Sequence, residues 1–254
     1  MLLFFLSISS SLALSGKHFS LEGQCDVAGS VFERIYIQGA WGATLAKSSA
    51  YYYTYGKIER LSRQSSSGPG SQIGENTQTS LEFLSQLIRE LNVTSFLDVP
   101  CGDTNWQFQS WEIDSLPIYV GLDITRSVVQ LNKEKFSFHS NKIFALWDFA
   151  TCPLPKFRSR FARSQIFDMI HVRDVIQHMP LKKAAAAIDN IVNSGIKYLV
   201  ASTYANGDNR ENIEEGSWYP ANLAREPFHL PSPVRCVETH PKHEADVTCL
   251  YILK

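Results

Sequence analysis

The chain has 254 residues, 44% of them hydrophobic and 12% aromatic, enough for a substantial core in one large domain with an appendage or in two small ones. A formal net charge of −1 lacks the basic excess of a general nucleic-acid footprint, so no nucleic-acid partner is expected. No stretch is apolar over the roughly 18 residues that a transmembrane helix needs, so no such segment is expected.

In chain order, residues 1–15 are apolar and end in small residues, with Ala13 and Ser15 placed as a small-x-small cleavage site. This predicts a signal peptide and a secretory or extracellular location. No Lys or Arg precedes the apolar run, and a disordered start on a cytoplasmic protein is the alternative. Residues 16–75 read as an N-terminal extension. Val31 to Tyr36 can form a short helix, and Tyr51 to Tyr55 is either a stacking platform or an aromatic wedge under the main domain. Ser65 to Ser80 is loop-like by composition, either a lid over a ligand or a linker, with Ser80 as N-cap of the next helix.

From residue 76 to 254 the pattern becomes β-α. Leu81, Leu84, Leu87, Ile88 and Leu91 recur at helical spacing. Strands are predicted at 95–99, 118–122, 143–147, 166–172 and 197–203, with helices at 126–135 and 181–192. Lys156 to Arg163 is a basic cluster, read as a solvated loop. After the long polar stretch 206–233, two strands at 234–238 and 247–253 form a terminal hairpin. The expected fold is α/β and Rossmann-like, a mainly parallel sheet with helices on both faces and a C-terminal antiparallel hairpin.

The five cysteines show no metal-ligand spacing, and His240-Pro-Lys-His243 has no third ligand, so no metal site is expected. Cys101 is expected to be a free thiol. In a secreted chain the other four can pair in three ways, with Cys236–Cys249 the first choice, and five thiols are the alternative. The sequon Asn92-Val93-Thr94 matters only in the secretory pathway.

The chemistry concentrates at strand ends. Phe96-Leu97-Asp98-Val99 runs into Pro100-Cys101-Gly102-Asp103, where Pro100 stops the strand and Gly102 permits positive φ. Asp123, Asp148 and Asp174 sit at or near the ends of later strands. These residues resemble the class I S-adenosylmethionine-dependent methyltransferases over roughly 76–254, in a subgroup with a Pro-Cys-Gly-Asp first motif. The family's Asp-x-Gly-x-Gly-x-Gly reads Asp98-x-Pro100-x-Gly102-x-Thr104 here.

The resemblance implies S-adenosyl-L-methionine as cofactor. It implies that Asp98, Cys101 and Gly102 lie near the cofactor's amino-acid end. Asp123 would grip the ribose, Ile124 would lie on the adenine face, and Asp148 with Phe149 would meet the adenine. Arg173 would help to hold the cofactor, and Arg173, Asp174 and His178 would stand where the acceptor enters. Asp174 and His178 are four apart, so on one helix face the acid would orient His178 as a base. Otherwise Asp174 caps the helix and His178 packs on Met179. Asp103 could cap its following helix, and His171 reads as a satisfied core histidine. The expected acceptor is a small molecule or a glycan hydroxyl. A non-catalytic binder on the same fold is one rival. A nicotinamide-dependent oxidoreductase is another, but Pro100 to Asn105 does not supply Gly-x-Gly-x-x-Gly.

Overall fold

A computed structural model describes residues 18–42, 51–54, 57–60, 64–159, 164–210, 213–239 and 246–253. Strand β1 (Phe19–Glu22) precedes helix α1 (Val31–Gln38). Ser30 starts α1 by accepting a hydrogen bond from the Phe32 amide, and Gly39 ends it in the left-handed region at φ 66°. A hairpin of β2 (Tyr51–Thr54) and β3 (Lys57–Arg60) follows. The expected roles of the tyrosine side chains there fall outside the described residues.

The main body runs α2 (Glu75–Glu90), β4 (Ser95–Asp98), α3 (Trp111–Asp114), β5 (Ile118–Asp123), α4 (Arg126–Lys135) and β6 (Lys142–Leu146). It continues with β7 (Lys156–Ser159), β8 (Ser164–Gln165), β9 (Met169–Val172), α5 (Leu181–Val192) and β10 (Tyr198–Tyr204). It closes with β11 (Arg235–Glu238) and β12 (Asp246–Ile252). Seven strands make one sheet in the order β11-β12-β10-β9-β4-β5-β6. β6, β5, β4, β9 and β10 are parallel, while β12 and β11 are antiparallel.

Alternation along the strands builds two cores. Leu97, Val120, Ile170 and Leu199 face the side covered by Ala184, Ala187, Ile188 and Ile191 of α5. Phe96, Tyr119, Met169 and Val200 face Leu84 and Leu87 of α2 and Val129 of α4. From β4 the chain winds out through β5 and β6, then crosses back to β9. The strand order therefore reverses between β4 and β9, where open α/β sheets bind ligands.

Two expectations need correction. Helix α2 begins at Glu75, not after Ser80, because Thr77 Oγ1 accepts from the Gly74 amide and bonds the Gln72 carbonyl. Ser80 is buried inside that helix. Its polar first turn carries no apolar repeat, which hid it from periodicity. The basic stretch is not simply a loop, since β7 pairs antiparallel with β1 and with β8. Arg158 closes that pairing with a 2.6 Å ion pair to Glu22.

Cys236 pairs with Cys249 across the terminal hairpin, and Cys25 pairs with Cys152, 127 residues away. Cys101 is a buried free thiol. Among the described residues no helix is long and apolar enough to cross a membrane, and no cluster could hold a metal ion. His240 and His243 lie outside the described residues.

Candidate active site

A cavity of about 880 Å³, counting open solvent at its mouth, lies over the carboxyl ends of β4, β5, β6 and β9. All ten residues expected at the site line it: Asp98, Cys101, Gly102, Asp123, Ile124, Asp148, Phe149, Arg173, Asp174 and His178.

Asp98 is a hub. It accepts from Gln107 Nε2 at 3.1 Å, Tyr119 Oη at 2.6 Å and His171 Nδ1 at 2.8 Å, all in the interior. These bonds fix the β4–β5–β9 junction beneath the cavity. His171 is not the satisfied core histidine expected. Its buried Nε2 has no hydrogen-bond partner among the described residues, and the ring lines the cavity. The same holds for Trp147 Nε1.

Asp123 accepts the amides of Gly102 at 3.0 Å and Thr125 at 2.8 Å. Only 3% exposed, its carboxyl is pushed up by burial to about 6 despite those bonds. The site thus holds a desolvated carboxylate whose charge would gain from further donors. Asp148 accepts from the Ala150 amide at 3.0 Å and faces Lys183 Nζ at 3.4 Å. Burial pushes the Cys101 thiol well up, which favours the neutral thiol. Asn132 Nδ2 donates to the Gly102 carbonyl at 2.7 Å and holds the loop.

Asp103 is a clasp, not a helix cap. Its carboxylate accepts from Ser65 Oγ (3.0 Å), the Ser66 amide (2.8 Å), Ser66 Oγ (3.0 Å) and Ser67 Oγ (3.4 Å). The Ser/Gly loop is therefore seated over the first motif. Gly102 is required by this seating. At φ +56° a Cβ on it would stand 2.5 Å from Ser67 Oγ. Arg173 fastens the same loop, donating to the Gly70 carbonyl at 3.1 Å while pairing with Asp174 at 2.9 Å.

The N-terminal extension supplies walls of the cavity, although the sequence singled out none of the residues that form them. Phe32, Tyr36 and Trp41 line the cavity. Tyr36 bonds Ser67 at 2.8 Å, and Glu33 accepts the Ser127 amide at the start of α4. The spacing of Phe32 and Tyr36 on a helix was the only signal available. Lys183 and Glu215 also line the site, paired at 2.7 Å.

Asp174 and His178 do not share a helix face. Residues 176–178 form a 3-10 turn, α5 starts at Leu181, and Asp174 has φ 53°. His178 Nδ1 lies 2.8 Å from the Ser217 carbonyl, which can only accept. The proton therefore sits on Nδ1 and leaves Nε2 as the basic nitrogen. Ser217, not Asp174, orients the ring, and Trp41 covers it with centroids 4.9 Å apart. Burial lowers the His178 pKa, favouring the neutral imidazole.

No protein-family model matches the chain, and no curated protein matches it in sequence. Solved structures do resemble it. The methyltransferase domain of bacterial CtHen1-CN is 15% identical with a TM-score of 0.50, covering 71% of this chain and 100% of that one. Magnesium protoporphyrin IX methyltransferase (ChlM) from Synechocystis PCC 6803 with bound SAM is 15% identical, TM-score 0.49, over 70% and 80%. The N-methyltransferase NodS from Bradyrhizobium japonicum WM9 with S-adenosyl-L-homocysteine is 13% identical, TM-score 0.47, over 69% and 87%. The architecture is the Rossmann-like methyltransferase fold, with its mostly parallel sheet and C-terminal antiparallel hairpin.

Proposed function

We propose that this chain is an S-adenosylmethionine-dependent methyltransferase acting on a hydroxyl of a small molecule or glycan. The observation that carries the reading is Asp123, a desolvated carboxylate facing a cavity at the topological switch point. Two buried polar atoms without a partner among the described residues, His171 Nε2 and Trp147 Nε1, belong to residues that line the same cavity and fit a ligand with several polar atoms.

In this reading Asp123 takes the ribose diol, Ile124 and Phe149 flank the adenine, and Asp148 faces its polar edge. Asp98, Cys101 and Gly102 shape the end that receives the amino-acid part, with Arg173 beside it. When bound, the sulfonium would supply an electrophilic methyl group to the acceptor oxygen, the electron pair of its carbon–sulfur bond staying on sulfur. The protein's own work is orientation, exclusion of water and removal of one proton. Phe32, Tyr36, Trp41 and Trp106 wall the cavity against solvent. His178 Nε2 accepts the hydroxyl proton and releases it to water.

The two disulfides support an oxidising compartment, consistent with a secretory or extracellular location. The function is tested with methyl-labelled donor and a pool of saccharides and small hydroxylated metabolites. Label should pass to an acceptor with wild type, and at least roughly 100-fold more slowly with His178→Ala. Label that stays on the donor across the pool, while donor binds tightly, would favour a non-catalytic binder.

A further inference from the structure

The end of the cavity beside Phe149 holds a cation that the proposed chemistry gives no task. Lys183, in the first turn of α5, lines the cavity together with Asp148 and Glu215. Its Nζ lies 2.7 Å from Glu215 Oε1 and 3.4 Å from Asp148 Oδ2, so one ammonium bridges two carboxylates. An ammonium carries three N–H donors, and among the described residues these two carboxylates are its partners, which leaves one donor for a ligand. Asp148 engages Oδ1 with the Ala150 amide at 3.0 Å. A carboxylate has about four acceptor sites, so Asp148 keeps acceptor capacity beside that donor.

The order of donor and acceptor on this wall is fixed from both sides. Glu215 draws Nζ to its own side of Asp148, and the loop that carries Glu215 is tied to the turn before α5. There the Gly216 amide donates to the His178 carbonyl at 2.8 Å, and the Tyr219 amide to the Gln177 carbonyl at 3.1 Å. On the other side, Asn190 Nδ2 of α5 donates to the Phe149 and Ala150 carbonyls at 3.0 Å and 3.2 Å, which fixes the segment after Asp148. An acceptor and a donor side by side next to an aromatic ring complement the edge of adenine, whose exocyclic amine donates while a neighbouring ring nitrogen accepts. A hypoxanthine or guanine ring has a carbonyl oxygen in place of that amine. It would set this acceptor against the Asp148 carboxylate.

We infer that Lys183 is a base-specificity residue, donating to a ring nitrogen of adenine while Asp148 accepts from the exocyclic amine. This assignment rests on the methyltransferase reading, which puts adenine at this wall.

The test is calorimetry of the full chain with S-adenosylhomocysteine, its hypoxanthine counterpart, and its 1-deaza and 7-deaza counterparts, each with one ring nitrogen replaced by C–H. Wild type should bind S-adenosylhomocysteine at least about tenfold more tightly than the hypoxanthine compound and than one of the two deaza compounds. Lys183→Met should weaken S-adenosylhomocysteine at least about tenfold. It should leave that deaza compound within about threefold of its wild-type affinity, since the lost donor matters only where the ring nitrogen is present. Lys183→Met binding S-adenosylhomocysteine within about threefold of wild type, or weakening all four compounds alike, would overturn the assignment alone. So would a wild type that binds the hypoxanthine compound, or both deaza compounds, as tightly as S-adenosylhomocysteine. Binding of none of the four would sink the methyltransferase reading and the assignment with it.

Discussion

Replacing Asp123 by alanine separates the proposed cofactor role from a structural one. The carboxylate holds two backbone amides, at 3.0 Å and 2.8 Å, and each orphaned amide costs about 1–3 kcal/mol. Against this, raising the group from its ordinary 3.8 to about 6 means that burying its charge costs the empty protein about 3 kcal/mol above pH 6. The two effects oppose, so the variant's stability should change by no more than about 3 kcal/mol. Cofactor affinity should behave differently. Two charge-assisted ribose hydrogen bonds at about 1.5–3 kcal/mol each imply at least about a 100-fold loss. The pH dependence carries a sign of its own. Ribose hydroxyls require the deprotonated acid, so wild-type affinity should be full above pH 6. It should fall as pH drops through that value, about tenfold weaker at pH 5. Without ligand the sign reverses, because the raised pKa makes the empty protein lose stability as pH rises from 3.8 through 6. Calorimetry with S-adenosylhomocysteine between pH 5 and 8, beside thermal melts, reads both quantities. An Asp123→Ala protein that binds within about threefold of wild type, or keeps the pH slope, refutes the reasoning.

Three other perturbations probe separate parts of the site. His178→Ala should lower turnover by roughly 100-fold or more and leave cofactor affinity nearly unchanged. In wild type, turnover should be lost as pH falls through the His178 pKa, which burial places below 6.5. Asp103→Ala removes the acceptor for three seryl side chains and the Ser66 amide, so hydrogen exchange at residues 64–71 should quicken by at least about tenfold. Unchanged exchange would show that the clasp does not hold the loop. Native protein should start near Gly16, carry glycan at the exposed Asn92, and yield Cys25–Cys152 and Cys236–Cys249 peptides under non-reducing mapping. An intact Met1, an unmodified Asn92 and free thiols would place it in the cytoplasm.

The sheet was legible because its strands are short apolar runs punctuated by acids and turn residues, and β-α alternation admits few topologies. Helix α5 showed itself through an alanine-rich apolar face, and the terminal hairpin through two short strand-like runs after a long polar stretch. The strand-end acids pointed to the cavity for the same local reason. What escaped were contacts made across long sequence separations. Nothing local in Lys156–Ser159 announces that Phe19–Glu22 will pair with it. Ser65 to Ser67 read as flexible by composition, yet their hydroxyls meet one buried carboxylate. Asp174 and His178 have helical spacing, but the ion pair with Arg173 and the Ser217 carbonyl place them in a turn before α5. Periodicity records which face is apolar, not which distant polar group will satisfy a donor.

The central claim is that the cavity at the β4–β9 switch point receives an adenosyl sulfonium and not a dinucleotide. Calorimetry of the purified chain at pH 7.5, about 1.5 units above the Asp123 pKa, against S-adenosylmethionine, S-adenosylhomocysteine and NAD tests it directly. The account predicts one site for each of the first two, weakened at least about 100-fold in Asp123→Ala, and no binding of NAD. Tight NAD binding with no heat from either sulfur compound would contradict it.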